Sequence, residues 1–286
     1  MTYSAAPSTQ ESAGLILNAG RAVSEPVLFV TGTDTGVGKT VVSAVLATAA
    51  AARGLSAGYF KPCQTGVLPN DGGRESSTES AGSVKVPGLA LELEPDLVAL
   101  ASPESDEDFV RKVAAEAGVK VHCCTSYSLA LPAAPTVAAE AEGIAISMEK
   151  IEQDLLRLQE ACDFVVVEGA GGLMVPLAEG ITMLDFAQML GLPIVIATTL
   201  RLGTINHTLL TAEVASSRRL DLLGLCIARV PSRMTAVERK NLELLPRLSG
   251  LEILLQIPEF LGDSLPSYLA GAALQVPGGF SSPKYR

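Results

Sequence analysis

The apolar residues of this chain follow two alternating rhythms. Short, nearly continuous apolar runs bounded by glycine, proline or polar residues predict buried strands at 27–31, 56–60, within 119–131, and at 163–172, 192–200, 222–230 and 252–258. Between them, apolar residues recur at helical spacing. The stretches 39–53, 105–118, 148–159, 204–218 and 235–248 predict helices, and a short one follows the proline-rich 132–135. In the 148–159 stretch Ile151, Leu155 and Leu158 form one core-facing stripe. Strands alternating with helices over this length predict an α/β fold: a single doubly wound, mostly parallel sheet with helices on both faces. The domain is expected to span 26–262. A Ser/Ala-rich extension at 1–25, expected to be loosely ordered, precedes it, and a tail at 263–286, expected to be irregular, follows. The pattern lapses at 67–105, which reads as an inserted segment and, placed between two candidate site residues, as a lid ordered by substrate.

The sharpest chemical signal lies at the junction of the first strand and the first helix, in VLFVTGTDTGVGKT. Glycines at 36 and 38 let consecutive backbone N–H groups face one concavity, and the helix that begins there adds the positive end of its dipole. Lys39 supplies a point charge for the outer phosphates of a nucleoside triphosphate, and the Thr40 hydroxyl can ligate Mg²⁺. The strict phosphate-loop spacing needs glycine at 33. Here Thr33 stands there, with Gly32 one place earlier, so the loop is a variant.

Three further features extend this site. The second predicted strand delivers Lys61 within KPCQTG, at the strand end where ligands of open α/β sheets bind. In DFVVVEGAGG the buried run ends in Glu168, a carboxylate placed like the Walker-B acid that holds Mg²⁺, and glycines follow it. Gly203 opens the helix that contains His207, a second potential anion site, and His207 inside that helix reads as structural. Ser105 and Asp108 form a capping-box-like pair, so Asp108 has a structural reading beside any chemical one.

Composition narrows the partners. The formal net charge is −10, which argues against nucleic acid, and no apolar run is long enough to span a membrane. An anionic nucleotide must therefore be held by local lysines, backbone N–H groups and metal. Five cysteines without regular spacing give no disulfide framework and point to a reducing, cytoplasmic setting. His122, Cys123 and Cys124 are adjacent, which places them poorly for one ion, and they read as part of a buried strand. The N-terminal stretch lacks the basic and apolar regions of a signal peptide.

Taken together, TGTDTGVGKT, KPCQTG, VEGAGGL with Pro176 following, and LGTINHTLLT resemble, in that order, the dethiobiotin synthetase family of P-loop proteins, from about Val27 to Pro258. The resemblance implies a cytoplasmic, homodimeric ligase of biotin biosynthesis that uses Mg²⁺ and ATP. It would convert 7,8-diaminopelargonate and CO₂ into dethiobiotin through a carbamate and a carbamic–phosphoric anhydride. By motif, Gly36, Val37, Gly38, Lys39, Thr40 and Val41 would cradle the phosphates. Lys39, Lys61 and Thr35 would act at the reacting centre, and Thr65 beside Thr35 and Lys61 would hold the diamine or carbamate. Thr40 and Glu168 would bind the metal, and Gly169, Ala170 and Gly171 would approach phosphate or substrate. Leu202, Gly203, Ile205 and Asn206 of the partner subunit would hold the substrate carboxylate.

The chain departs from the family pattern in places. The family's second acid follows the KPxxxG strand more closely, whereas here 67–105 intervenes. Asp108 in SDEDF is taken as its match, ahead of Asp71 and Asp106, as a nucleotide and metal ligand. Arg229 stands where many members carry an adenine-reading Asn, and Gln256 where the family has Glu before Ile-Pro, so other triphosphates stay open. Two other P-loop classes share strand, loop and sheet. Partitioning-type switch ATPases carry a signature lysine early in the loop, which Gly32 to Gly36 lacks. Cobyrinate-type synthetases carry a glutaminase domain, for which there is no room after Pro258.

Overall fold

A computed structural model describes residues 27–67, 84–85, 92–93, 102 and 104–259. The expected terminal extension, the tail and most of the proposed lid, including Asp71, lie outside the described residues. Seven strands form one parallel sheet: β1 (Val27–Gly32), β2 (Ala57–Thr65), β5 (Val121–Leu129), β6 (Phe164–Gly172), β9 (Ile194–Thr198), β10 (Leu222–Val230) and β11 (Ile253–Pro258). Their spatial order is β11-β10-β9-β1-β6-β2-β5. The short pair β3 (Val84–Lys85) and β4 (Glu92–Leu93) is antiparallel, as is β7 (Pro176–Ala178) with β8 (Ile181–Thr182).

The helices are α1 (Lys39–Ala52), α2 (Asp106–Glu116), α3 (Pro135–Ala141), α4 (Met148–Ala161), α5 (Met183–Leu190), α6 (Thr204–Ser217) and α7 (Ala236–Ser249). Strand alternation sorts them into layers. On β1, Leu28 and Val30 join Val42, Val45, Val110 and Val113 of α1 and α2 in one core. Val27 and Phe29 join Ile151, Leu155 and Phe186 of α4 and α5 in the core on the opposite face. Each fully buried aliphatic or aromatic side chain there contributes roughly 1.5–3 kcal/mol. The chain steps from β1 through β2 to the edge strand β5 with α1 and α2 on one face. It then returns to β6 and on to β11 with the remaining helices on the other. Reversing direction while changing face keeps every crossover right-handed. It also opens the sheet's carboxyl edge around β1, where ligands bind in such folds.

Most predicted elements are present. The stripe on α4 is buried, and Glu168 on β6 is wholly buried. Ser105 caps α2 with a complete capping box to Asp108. Two expectations need correction. β2 does not stop near residue 60 but runs through Lys61 to Thr65, carried on by pairing with β5 from Ala57 to Thr65. The His122–Cys124 strand is an edge strand and only half-buried, with His122 exposed. Cys123 packs toward the α1/α2 core and Cys124 toward the opposite core, so the two thiols point away from each other across the sheet.

Candidate active site

The phosphate loop is held by contacts that explain its glycines. A Cβ on Gly32 would lie 2.9 Å from Val37 Cγ2 and 3.0 Å from the Asp34 carbonyl oxygen, which accounts for glycine at 32. Thr33 instead faces sideways. Its N–H donates to the Ala197 carbonyl (3.1 Å) and its hydroxyl to Thr198 Oγ1 (3.2 Å), tying the loop to β9. Gly38 is left-handed (φ 96°), and a Cβ there would meet the Ala228 Cβ of β10 at 2.6 Å. No larger residue fits. Lys39 is buried and its Nζ donates to the Asp34 carbonyl oxygen at 2.9 Å, folding the side chain back along the loop. Burial, with Lys61 nearby, pulls its pKa down to about 8. Thr35 and Gly36 are exposed at the loop's rim.

Behind the loop lies a compact polar cluster on the α1/α2 face. Thr40, in the first turn of α1, donates to Asp106 Oδ1 and Glu168 Oε1, each at 3.0 Å. Lys61 Nζ is 2.6 Å from Glu168 Oε1 and also contacts Asp106 Oδ2. Burial alone would lower the Lys61 pKa, but Glu168 and Asp106 outweigh it and raise the pKa, holding the ammonium charged. The Gln64 side-chain oxygen accepts from the Asp106 N–H at 3.0 Å, so β2 also fixes the start of α2.

The second acid of the cluster is Asp106, and the expectation of Asp108 is corrected. Residues two apart on a helix are separated by about 200° around its axis. With Asp106 turned to the cluster, Asp108 must face away. Its Oδ2 accepts from the Ser105 hydroxyl at 2.7 Å, closing the cap, and its Oδ1 lies 3.9 Å from Arg111. Tyr59 was also missed. It is fully buried on β2, two residues before Lys61, and its hydroxyl donates to Glu168 Oε2 at 2.9 Å. Its place on the Lys61 face of the strand was the available signal.

The other expected residues lie along the same sheet edge. Gly169 passes close under Phe29, where a Cβ would sit 3.2 Å from the ring. Gly171 (φ 61°) has Val175 Cγ2 at 2.7 Å and Thr35 Oγ1 at 3.6 Å from its Cβ position, with Ala170 buried between the two glycines. Thr65 is half-buried at the end of β2. Arg229 is exposed with φ 56°, one residue beyond the Ala228 that touches Gly38. Gln256 is exposed on β11, paired in register with Ile227. Gly203 caps α6 in the left-handed conformation with no side-chain cap. Leu202 is 93% exposed, Ile205 half-buried, and Asn206 and His207 exposed. Thr198 links the two ends, since its hydroxyl lies 2.9 Å from Thr204 Oγ1 and 3.1 Å from Thr208 Oγ1.

The cluster fits a hard divalent cation. Two carboxylates and one hydroxyl converge with oxygens about 3 Å apart in hydrogen-bonded contact, beside a helix N-terminus open to phosphate. That all-oxygen donor set is the kind Mg²⁺ takes together with phosphate oxygens and water.

The chain is similar to known proteins over most of its length. A family model described as an AAA domain matches residues 27–261. The ATP-dependent dethiobiotin synthetase of Rhodococcus jostii is 36% identical over 250 residues, 86% of this chain and 92% of that one. The enzyme of the same name from Anaeromyxobacter dehalogenans is 35% identical, covering 81% of this chain and 89% of its own. Among solved structures, cobyrinic acid a,c-diamide synthase from Mycobacterium smegmatis, with ADP and magnesium bound, superposes with a TM-score of 0.45 at 14% identity, covering 90% of this chain and 96% of that one. At these identities, over nearly the full length of the relatives, the chain belongs to the ATP-dependent dethiobiotin synthetase family of AAA-domain proteins.

Proposed function

We propose that the chain is a dethiobiotin synthase, an ATP-dependent cyclo-ligase that joins 7,8-diaminopelargonate and CO₂ into the ureido ring of dethiobiotin. The observation that carries the reading is the convergence of Lys61, Thr40, Asp106 and Glu168 directly behind a phosphate loop, in a chain of this family. Each of those residues suits one part of the reaction.

One substrate amine takes up CO₂ as a carbamate. A carbamate oxygen then attacks the γ-phosphorus of ATP, the bond to ADP breaks, and a carbamic–phosphoric anhydride forms. The second amine attacks the carbamate carbon, the ring closes and phosphate leaves. Backbone N–H groups from Gly36 to Val41 receive the phosphates. Lys39 and Lys61 neutralise charge that spreads over the transferred phosphoryl group, with Lys61 placed at the metal end by its two carboxylates. Thr40, Asp106 and Glu168 would hold Mg²⁺, which would supply positive charge against the phosphates. Thr35 at the loop rim, with Lys61 and Thr65 on β2, receives the carbamate end of the diamine.

The chain works as a homodimer. Leu202, Gly203, Ile205 and Asn206 of the partner subunit present the N–H groups of α6 to the substrate carboxylate. The bare glycine cap of α6 and the exposed Leu202 support that placement. Five free thiols suit a reducing cytoplasm. No helix among the described residues is long and apolar enough to cross a membrane.

The test is product formation with 7,8-diaminopelargonate, bicarbonate and Mg-ATP. Dethiobiotin should appear in step with ADP, and Lys61→Ala should lower turnover by about 10²–10³-fold, as for loss of one preorganised transition-state donor. ATP binding without any dethiobiotin would leave the phosphate site standing and remove the substrate assignment. Running the assay with CTP and GTP reads the base preference left open by Arg229 and Gln256.

A further inference from the structure

Glu168 is wholly buried, and its two oxygens have different duties. Oε1 faces the cluster, receiving Lys61 at 2.6 Å and Thr40 at 3.0 Å, while Oε2 receives the Tyr59 hydroxyl at 2.9 Å. A carboxylate turns easily about its last torsion, which is broad and two-fold, so partners on one oxygen alone do not fix its plane. The bond from Tyr59 does. Tyr59 is itself rigid: it is fully buried and packs with Leu28 and Val166 in the core under α1. It pairs in register with Val166, two residues before Glu168 on the neighbouring strand, so sheet geometry sets the donor's distance.

We propose that Tyr59 is a positioning residue for metal binding: its hydroxyl pins Glu168 Oε2 and thereby aims Oε1 at the Mg²⁺ position beside Thr40 and Asp106. This rests on the reading of Glu168 as a metal ligand. Outer-sphere hydrogen bonds of this kind orient metal ligands, and their loss typically costs about 10–100-fold in metal affinity.

The test measures how much Mg²⁺ tightens ATP binding, by calorimetric titration of ATP in excess Mg²⁺ and in EDTA. Tyr59→Phe keeps the ring and deletes only the hydroxyl. ATP affinity in EDTA should match wild type, while the tightening by Mg²⁺ should shrink by about 10–100-fold. Glu168→Ala should lose the tightening, and Tyr59→Phe/Glu168→Ala should equal Glu168→Ala alone, because Tyr59 acts only through that carboxylate. Wild-type tightening in Tyr59→Phe overturns the proposal, as does an equal loss in EDTA, which would mark Tyr59 as merely structural. Wild-type tightening in Glu168→Ala overturns the metal reading of Glu168 itself. A second measurement leaves Tyr59 intact, in case Tyr59→Phe does not fold. In protein carrying ¹³Cζ-tyrosine, the resonance displaced by Glu168→Ala should also move when Mg²⁺ is added to the ATP complex, and a stationary resonance overturns the proposal.

Discussion

Two helices begin on a left-handed glycine at the carboxyl edge of the sheet, and their surroundings differ in almost every respect. α1 starts at Gly38, wedged against Ala228, and its first turn carries a buried lysine and a threonine bonded to two acids. α6 starts at Gly203, which has nothing within 4 Å of its Cβ position, beside the almost fully exposed Leu202. By contrast, α2, α5 and α7 each open with a full capping box, their N-terminal N–H groups already taken by Ser105–Asp108, Thr182–Asp185 and Thr235–Glu238. A capped helix has satisfied its own end. A glycine-capped one leaves its N–H groups and dipole for an anion. Of the two, the start of α1 is walled in by β10, while the start of α6 is presented outward.

The largest expected effect comes from breaking the α1 turn. Gly38→Ala forces a side chain both into left-handed backbone, costing roughly 1–2 kcal/mol, and into Ala228. ATP binding should be lost, read by titration in EDTA. Gly203→Ala meets the same backbone strain in open space. It should raise KM for the diamine while leaving ATP affinity in EDTA unchanged, and a matching loss of ATP affinity would collapse the distinction between the two ends.

Next in size is the contrast within α2. Asp106→Asn should raise the Mg²⁺ concentration needed for half-maximal turnover by at least the about 10–100-fold that loss of an outer-sphere partner costs. Asp108→Asn should leave that requirement alone and cost only about 1 kcal/mol of stability as a weakened cap. The reverse pattern would restore Asp108 as the ligand.

The smallest effect concerns a capped helix, α5, whose end is satisfied by Thr182 and Asp185. Burial alone would raise the Asp185 pKa, but hydrogen bonds from Thr182 and the Arg218 charge hold it below the usual carboxylate value of 3.8. A depressed carboxylate contributes stability that is present above its unfolded pKa and lost as pH falls through the folded one. Asp185→Asn should therefore destabilise by no more than about 1 kcal/mol at neutral pH. The gap to wild type in thermal melts should close below about pH 4. The site is one-third exposed, so solvent screening keeps the effect small. A gap that does not shrink on acidification would show that the carboxylate charge is not what holds the cap.

The order of elements was legible from the chain because its signals are local. Apolar runs, helical stripes, the glycine–lysine–threonine spacing and the acid ending a buried strand depend on residues within a few places of one another. The same locality explains two misreadings. The second strand reads as 56–60 from its apolar run, yet pairing with β5 continues it to Thr65. The half-burial of Cys123 and Cys124 follows from β5 being the sheet's edge, and strand order is not written in any single segment.

For the site, the sequence by itself marked out the phosphate loop, Lys39, Thr40, Lys61 and Glu168, because each lies in a short local motif. Only the tertiary structure decided which acid joins them. SDED offers Asp106 and Asp108 on one capped turn, and a rotation of about 200° about the helix axis separates the one that meets Lys61 from the one that meets Ser105. The structure likewise turned Tyr59 from an ordinary core aromatic into the donor on Glu168. Hydrogen bonds between β2 and β6 join residues more than a hundred positions apart, and their partners are set by sheet order and register, which exist only once the chain has folded.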